Sequence, residues 1–172
     1  MTNPNFSHLS DSEIRETLML QERLALIEQQ KQCQESFLDF INYMWPEFIC
    51  GRHHKIFAQK LEEVANGTCK RLIVNMPPRH TKSEFAWIMG KQPNRKIMQT
   101  THTGELAVRF GRKVRNMMDT EEYKKIFSKV ELQADSKSAG RWETNKGGEY
   151  FAAGVGGAIT GRGADLLIID DP

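Results

Sequence analysis

Two short groups of residues in this chain have the types and the order that nucleotide chemistry needs. The first group, Lys82-Ser83, follows an apolar run at 72–74 and a turn that contains two prolines. A strand, a tight loop and a helix that begins at Lys-Ser make up a phosphate-binding loop, whose backbone N–H groups and helix N-terminus hold phosphate oxygens. The lysine then reaches the outer phosphates and the serine hydroxyl binds Mg²⁺. The pattern predicts a buried strand at 72–74 and the start of a helix at 83–89.

The glycines of that loop motif are missing, because Met76 and Thr81 stand at their positions. On these residues alone an alternative stays open, namely a strand that ends in a proline-rich loop with one surface lysine. The interpretation therefore depends on a second signal elsewhere in the chain.

The second group lies near the end of the chain, where four aliphatic residues at 166–169 precede Asp170-Asp171. Such a run is typical of a fully buried strand in a parallel sheet. Ligands of open α/β sheets bind at the carboxyl ends of the strands, which is where a carboxylate can hold the metal of a Mg²⁺–nucleotide. With Lys82 and Ser83, Asp170 would form one Mg²⁺–phosphate site, and Asp171 would lie near the attacking water.

The elements that must position these groups follow from periodicity and from start and stop residues. We predict a helix from Ser10 to about Gln34, an apolar and aromatic segment at 36–45, and a helix at 51–66 with Ile56, Leu61 and Val64 facing inward. A strand at 96–100, helices at 105–119 and 121–127, a hairpin of 141–144 with 149–152, and a glycine-rich loop at 154–163 follow. This alternation suits a central sheet with intervening helices.

The helix at 105–119 has the clearest pattern in the chain. Its apolar residues recur at the helical period and predict one buried stripe, formed by Leu106, Phe110, Val114 and Met117. Its outer side carries four cations, Arg109, Arg112, Lys113 and Arg115. These would either contact the phosphates of DNA or form an ordinary solvated helix face.

Composition narrows the class of protein. The 172 residues carry a net charge of only +2, which does not by itself predict a nucleic-acid partner. The three cysteines, Cys33, Cys50 and Cys69, have no metal-like spacing and fit a reducing interior. Neither a signal peptide nor a membrane span is predicted, so we expect a cytosolic type of protein.

Three segments of the chain resemble the ATPase domain of the large terminase subunit of tailed phages, the motor that pumps double-stranded DNA into a prohead. They are Asn-Met-Pro-Pro-Arg-His-Thr-Lys-Ser-Glu at 75–84, Thr-His-Thr-Gly-Glu-Leu-Ala at 101–107, and the glycine-rich stretch at 154–172 that ends in Leu-Leu-Ile-Ile-Asp-Asp-Pro. The resemblance extends from about Phe37 to Pro172. It implies a P-loop ATPase domain at 36–172, and the helix predicted before that domain makes 1–35 a helical N-terminal extension.

The resemblance implies a RecA/helicase-like P-loop NTPase fold, an α/β fold with a mostly parallel sheet flanked by helices. It implies that ATP and Mg²⁺ are bound at a deviant Walker A loop and at a Walker B strand, 166–171. The loop residues implied are Pro78, Arg79, His80, Thr81, Lys82 and Ser83. Ser83 and Asp170 would hold the metal and Asp171 would polarise the water. Arg162 would reach the γ-phosphate, although a solvent-facing loop arginine remains an equal alternative.

By the same resemblance the partners would be double-stranded DNA, a small terminase subunit and the portal of the prohead. The motor would act as a homo-oligomeric ring in the host cytoplasm, without a membrane. Three departures are expected to matter: Thr81 in place of a loop glycine, a short helix after Ser83, and no coupling motif or nuclease domain after Pro172. We therefore expect a fragment of such a subunit, and whether this fragment itself hydrolyses ATP is a separate question. The alternatives are a helicase-like or restriction-type DNA translocase, or a non-enzymatic remnant of a split gene.

Overall fold

A computed structural model of the chain describes residues 10–75, 84–156, 161 and 163–170. Within these ranges the helices are α1 (Asp11–Glu35), α2 (Phe37–Met44), α3 (Arg52–Ala65), α4 (Glu84–Lys91), α5 (Gly104–Met118) and α6 (Glu121–Ile126). The strands are β1 (Lys96–Thr101), β2 (Leu132–Lys137), β3 (Arg141–Thr144), β4 (Glu149–Gly154) and β5 (Leu166–Asp170). The predicted α/β class is confirmed.

Hydroxyl side chains set the starts of several helices. Ser10 forms a capping box with Glu13, in which the Ser10 hydroxyl accepts from the Glu13 N–H and the Glu13 carboxylate accepts from the Ser10 N–H. Ser36, Thr103 and Thr120 cap α2, α5 and α6 in the same way, each accepting a bond from a backbone N–H three residues on. Such caps satisfy N–H groups that have no partner inside the helix. The predicted helix start at Ser10 is confirmed.

The five strands form one mixed sheet in the order β2-β3-β4-β1-β5. Strands β4 and β5 both run parallel to β1, whereas β3 runs antiparallel to β2 and β4. The predicted hairpin of β3 and β4 is confirmed, and its turn contains Gly147 at φ 80°, a conformation that favours glycine. The sheet is thus mixed rather than mostly parallel, because the hairpin contributes antiparallel pairs.

One core joins the helices to a single face of the sheet. Trp87 and Tyr123 from the helices and Ile97, Trp142 and Tyr150 from the strands are buried together. Leu166 and Ile168 of β5 pack against the same core, which fixes which face of β5 turns inward.

The predicted buried strand at 72–74 is wrong. The structure assigns no strand to residues 71–75, and Ile73 is 89% exposed. A strand needs a neighbour for its N–H and C=O groups as well as a favourable composition, and none of the described strands pairs with this segment. Its apolar, β-branched composition alone therefore did not determine its structure.

The prediction that β5 is fully buried is also wrong. β5 lies at the edge of the described sheet, with β1 as its neighbour, and the side chains of Leu167 and Ile169 are more than half exposed. Successive side chains of a strand point to opposite faces, so these two lie on the face away from the helices. The direction of the strand is as predicted, and its burial is one-sided.

Three smaller differences from the predictions concern the buried side chains of α3, the buried side chains of α5, and the strand β2. In α3, Leu61 faces inward as predicted, but Ile56 is exposed and Ala58 and Ala65 are buried in its place. In α5, Phe110 and Val114 are buried as predicted, while Leu106 and Met117 are only partly buried. Strand β2 was not predicted, because its sequence, Leu-Gln-Ala-Asp-Ser-Lys, contains no β-branched or aromatic residue.

Candidate functional site

The carboxyl ends of β1, β4 and β5 lie side by side at one edge of the sheet. The register pairs Thr101, the last residue of β1, with Gly154 of β4 on one side and with Asp170 of β5 on the other. Because all three strands are parallel, their carboxyl ends all lie at this edge. In open α/β sheets, ligands bind outside this end of the strands.

The position of Asp170 is fixed from the opposite end of its strand. Asp165, just before β5, donates its N–H to the carbonyl of Lys96 (2.8 Å), and its carboxylate accepts the Lys96 N–H (2.8 Å). A slip of one residue would turn the inward side chains of β5 outward, so this clamp and the packing of Leu166 and Ile168 together define the register. Asp170 is consequently held level with the end of β1.

The turn after β1 brings the start of α5 to the same edge. The buried Thr101 hydroxyl donates to the carbonyl of Thr103 (2.6 Å), and the Thr103 hydroxyl accepts the N–H of Leu106 (3.3 Å) as the cap of α5. The N-terminus of α5, where the helix dipole is positive, therefore lies beside the carboxyl ends of the strands.

Close backbone approach explains the glycine at the end of β4. A Cβ on Gly154 would lie 2.5 Å from the backbone nitrogen of Gly104, a distance that no real Cβ contact allows. The N–H of Val155 also donates to the carbonyl of Thr101 (3.0 Å), which continues the β1–β4 ladder past Gly154. Gly154 thus lets the glycine-rich loop leave the sheet directly against α5.

Helix α4, which follows residues 76–83, is held in place by the core. Residues Phe85 to Gly90 are all buried. The Tyr123 hydroxyl donates to the carbonyl of Ala86 (2.8 Å), and the Trp87 indole donates to the carbonyl of Cys33 (3.0 Å). Burial raises the pKa of Tyr123 well above its usual value, so the phenol stays neutral and keeps its donor. The short helix predicted after Ser83 is confirmed: α4 has eight residues, of which the six from Phe85 to Gly90 are buried.

A buried tyrosine connects β4 to the core side of β1 and α5. The Tyr150 hydroxyl donates to Gln99 Oε1 (2.6 Å) and lies 3.2 Å from the carbonyl oxygen of Ala107, and its ring stacks on Trp142. Burial raises the pKa of Tyr150 above its usual value, so the phenol stays protonated and keeps its donor. Its role is to position α5 over the strands.

Of the nine predicted site residues, one lies within the described part of the chain. Asp170 is described and ends a parallel strand, as predicted. The other eight lie outside the described residues: Pro78, Arg79, His80, Thr81, Lys82, Ser83, Arg162 and Asp171. Their roles remain predictions. Thr101, Thr103 and Gly154 were not assigned roles from the sequence, although a Thr-x-Thr-Gly sequence after an apolar strand signals a turn that ends in a helix cap.

The cations of α5 form a partly exposed face. Arg109, Arg112 and Lys113 are exposed and Arg115 is partly buried, so the predicted outer side of the helix is confirmed. DNA contact by this face stays a prediction.

The described ranges contain neither a cluster of metal ligands nor a membrane-spanning helix. No group of three or more His, Cys, Asp or Glu side chains in the described part of the chain is arranged to hold a metal. In those ranges, too, no helix is long and apolar enough to cross a membrane. His54 is buried and His53 is exposed, and the centroids of their rings lie 3.8 Å apart.

Comparison of this chain with protein-family models, with curated proteins and with solved structures found no match. The α/β fold and the edge at Asp170 therefore carry the functional argument.

Proposed function

We propose that this chain binds Mg²⁺–ATP at the edge formed by the carboxyl ends of β1, β4 and β5. The observation that carries the proposal is the place of Asp170, at the end of a parallel strand and level with Thr101 of its neighbour. A carboxylate in this position is where a nucleotide-bound Mg²⁺ meets an open α/β sheet.

The residues available at this edge fit the proposed group. Mg²⁺ prefers oxygen ligands and commonly takes only one or two from the protein, with the remainder from phosphate and water. A three-residue cluster is therefore not required. Asp170 and, from the sequence, Ser83 would supply the oxygen ligands. Lys82 and Arg79 would bind the phosphate oxygens, for which cationic donors are suited.

Bound Mg²⁺–ATP would supply a phosphoanhydride whose terminal phosphoryl group is transferred to water. The contribution of this chain would be positioning. Asp171 would orient the water and Arg162 would neutralise charge on the outer phosphate. Because α4 directly follows the loop and is packed into the core, it would hold the end of the loop at a fixed place.

We further propose that the chain is the ATPase portion of a viral DNA-packaging motor of the terminase type. This rests on the resemblance of segments 75–84, 101–107 and 154–172. The structure adds a physical context for the last two, since the turn at 101–104 and the end of β5 meet at one edge. Double-stranded DNA would then be the polymer moved, and the exposed cations of α5 are one candidate contact.

The nucleotide site is tested by titrating a fluorescent ATP analogue into the full chain, with Mg²⁺ and with EDTA. Lys82→Ala and Asp170→Asn should each weaken Mg²⁺-dependent binding by about tenfold or more, since each removes a charge-assisted contact. Lys146→Ala, in the exposed hairpin turn, and Asp135→Asn, on the far edge strand β2, make the same chemical changes elsewhere. Both controls should bind like the unaltered chain.

Failure to bind at millimolar nucleotide would contradict the proposal and favour the interpretation as a non-enzymatic remnant. Binding that responds equally to the control variants would show that the nucleotide lies elsewhere. Phosphate release measured on the same samples, with and without linear double-stranded DNA, tests the motor assignment separately. If the chain binds nucleotide normally, two results would contradict coupling to DNA: phosphate release at the same rate with and without DNA, or no phosphate release at all.

A further inference from the structure

Helix α1 projects from the rest of the described residues. It is 25 residues long, about 37 Å, and Cys33 near its C-terminal end is its buried residue. From Asp11 to Gln29 the side chains are exposed, apart from the partly buried Ile14 and Thr17. The body contacts begin at the other end, where the side-chain amide of Gln34 donates to the carbonyl of Ile126.

The projecting part carries a regular stripe. Six positions follow the alternating four- and three-residue steps that place side chains on one seam of a helix. They are Glu13, Thr17, Leu20, Leu24, Ile27 and Lys31. The three central residues of this stripe are apolar and each is more than half exposed. A run of large exposed apolar residues along one seam is the pattern of a helix that packs against another helix.

The charges at the ends of the stripe determine which orientation would fit. If two copies of α1 packed in parallel, Glu13 would face Glu13 and Lys31 would face Lys31. If they packed antiparallel, with Leu20 facing Leu24, then Thr17 would face Ile27. Glu13 would face Lys31 at both ends of the seam. The stripe is therefore complementary to itself only in the antiparallel arrangement.

We propose that α1 pairs with α1 of a second copy of this chain, antiparallel and through the stripe 13–31. The overlap would be about 27 Å long. It ends two residues before Cys33, so the buried residue of α1 lies outside it. An overlap of this length buries an area near the lower limit for specific interfaces, on the order of 1,000 Å² in total. The pair should therefore be weak and dependent on concentration.

Sedimentation of the full chain over a concentration series that reaches about 1 mM tests the pairing. The unaltered chain should shift from monomer to dimer. Leu24→Asn should raise the dissociation constant at least about a hundredfold, because each dimer loses two buried leucines. Leu26→Asn is the control, since Leu26 is also exposed (46%, against 65% for Leu24) but lies on another side of α1, and this change should leave the dimer unchanged. Circular dichroism checks that both variants keep their helix.

Cysteine cross-linking distinguishes the orientations, in a background with Cys50→Ser and Cys69→Ser. Oxidation of a mixture of Leu20→Cys and Leu24→Cys chains should give the mixed disulfide, and Leu24→Cys alone should give little. Self-linking of Leu24→Cys at the higher yield would overturn the antiparallel arrangement. A chain that stays monomeric at every concentration, or a dimer that Leu26→Asn weakens as much as Leu24→Asn, would overturn the pairing itself.

Discussion

Replacement of Gly111 by alanine sets two effects of opposite sign against each other inside α5. Helix propensity alone favours alanine over an interior glycine by about 1 kcal/mol. However, a Cβ at this position would lie 2.9 Å from Cζ and 3.0 Å from the hydroxyl oxygen of Tyr150, and closer still to Cε1. Comfortable carbon contacts lie at about 3.5–4.0 Å. The methyl group fits only if the ring moves.

The ring of Tyr150 has little freedom to move. It is fully buried, its centroid lies 5.0 Å from that of the stacked Trp142, and its hydroxyl is 2.6 Å from Gln99 Oε1. Overpacking a core of this kind costs about 1–3 kcal/mol, sometimes more. The propensity gain offsets only part of that. Because the overlap with this fixed ring is severe, the cost should lie in the upper part of that range, about 2–3 kcal/mol. After the propensity gain of about 1 kcal/mol, we expect Gly111→Ala to lower the free energy of unfolding by about 1–2 kcal/mol and the melting temperature by about 2–8 °C.

Thermal and urea unfolding followed by circular dichroism measures this difference. Gly104→Ala, in the first turn of the same helix, is the control, because its Cβ would meet Gly154 N at an ordinary 3.5 Å. In a Tyr150→Leu background the contact is relieved, so Gly111→Ala should become neutral or stabilising there. A Gly111→Ala protein as stable as the unaltered chain would refute the claim that Tyr150 is held rigidly between α5 and the sheet.

Two further predictions concern pH and the hairpin. Burial raises the pKa of Tyr123 and of Tyr150 in the folded chain. Below the usual tyrosine pKa of about 10 both phenols are protonated in the folded and in the unfolded chain, so the free energy of unfolding keeps its full value there. Above that pH the unfolded chain loses these protons first, and the free energy of unfolding falls. Tyr150→Phe should make the measured loss between about pH 10 and pH 11 shallower, and an unchanged slope would contradict this. Thr144→Val should lower stability by about 1–3 kcal/mol in urea unfolding, because the buried hydroxyl donates to the Pro93 carbonyl and accepts a backbone N–H of the hairpin turn. Thr68→Val is the control, since that hydroxyl is exposed and water can replace its bond to a backbone carbonyl; an equal effect of both changes would argue against the buried hydrogen bonds.

The sequence was informative where local signals and tertiary structure agree. Ser10 with Glu13, and the apolar period of α5, predicted helices that are present because caps and buried faces act within a few residues. The parallel direction of β5 was predicted as well, from its aliphatic run.

The sequence was uninformative where structure depends on distant partners. Residues 72–74 have the composition of a strand, but pairing is a property of neighbours that composition does not contain. Conversely, β2 forms because β3 offers it a ladder, despite its polar sequence. At the candidate site, Asp170 could be predicted from its run of aliphatic residues. The close approach of Gly154 to Gly104 could not be, because it joins segments fifty residues apart.

The edge position of β5 has a consequence for the order in which the sheet assembles. The hairpin of β3 and β4 closes across a short turn, whereas β5 must find β1 across more than sixty residues of intervening chain, and the entropy lost on closing a loop grows with its length. With β1 as its neighbour in the described sheet, β5 also has fewer bonds to lose than a central strand. Its amides should thus exchange with deuterated solvent before those of β1. The carboxylate that ends β5 would then reach its place late in folding and leave it early.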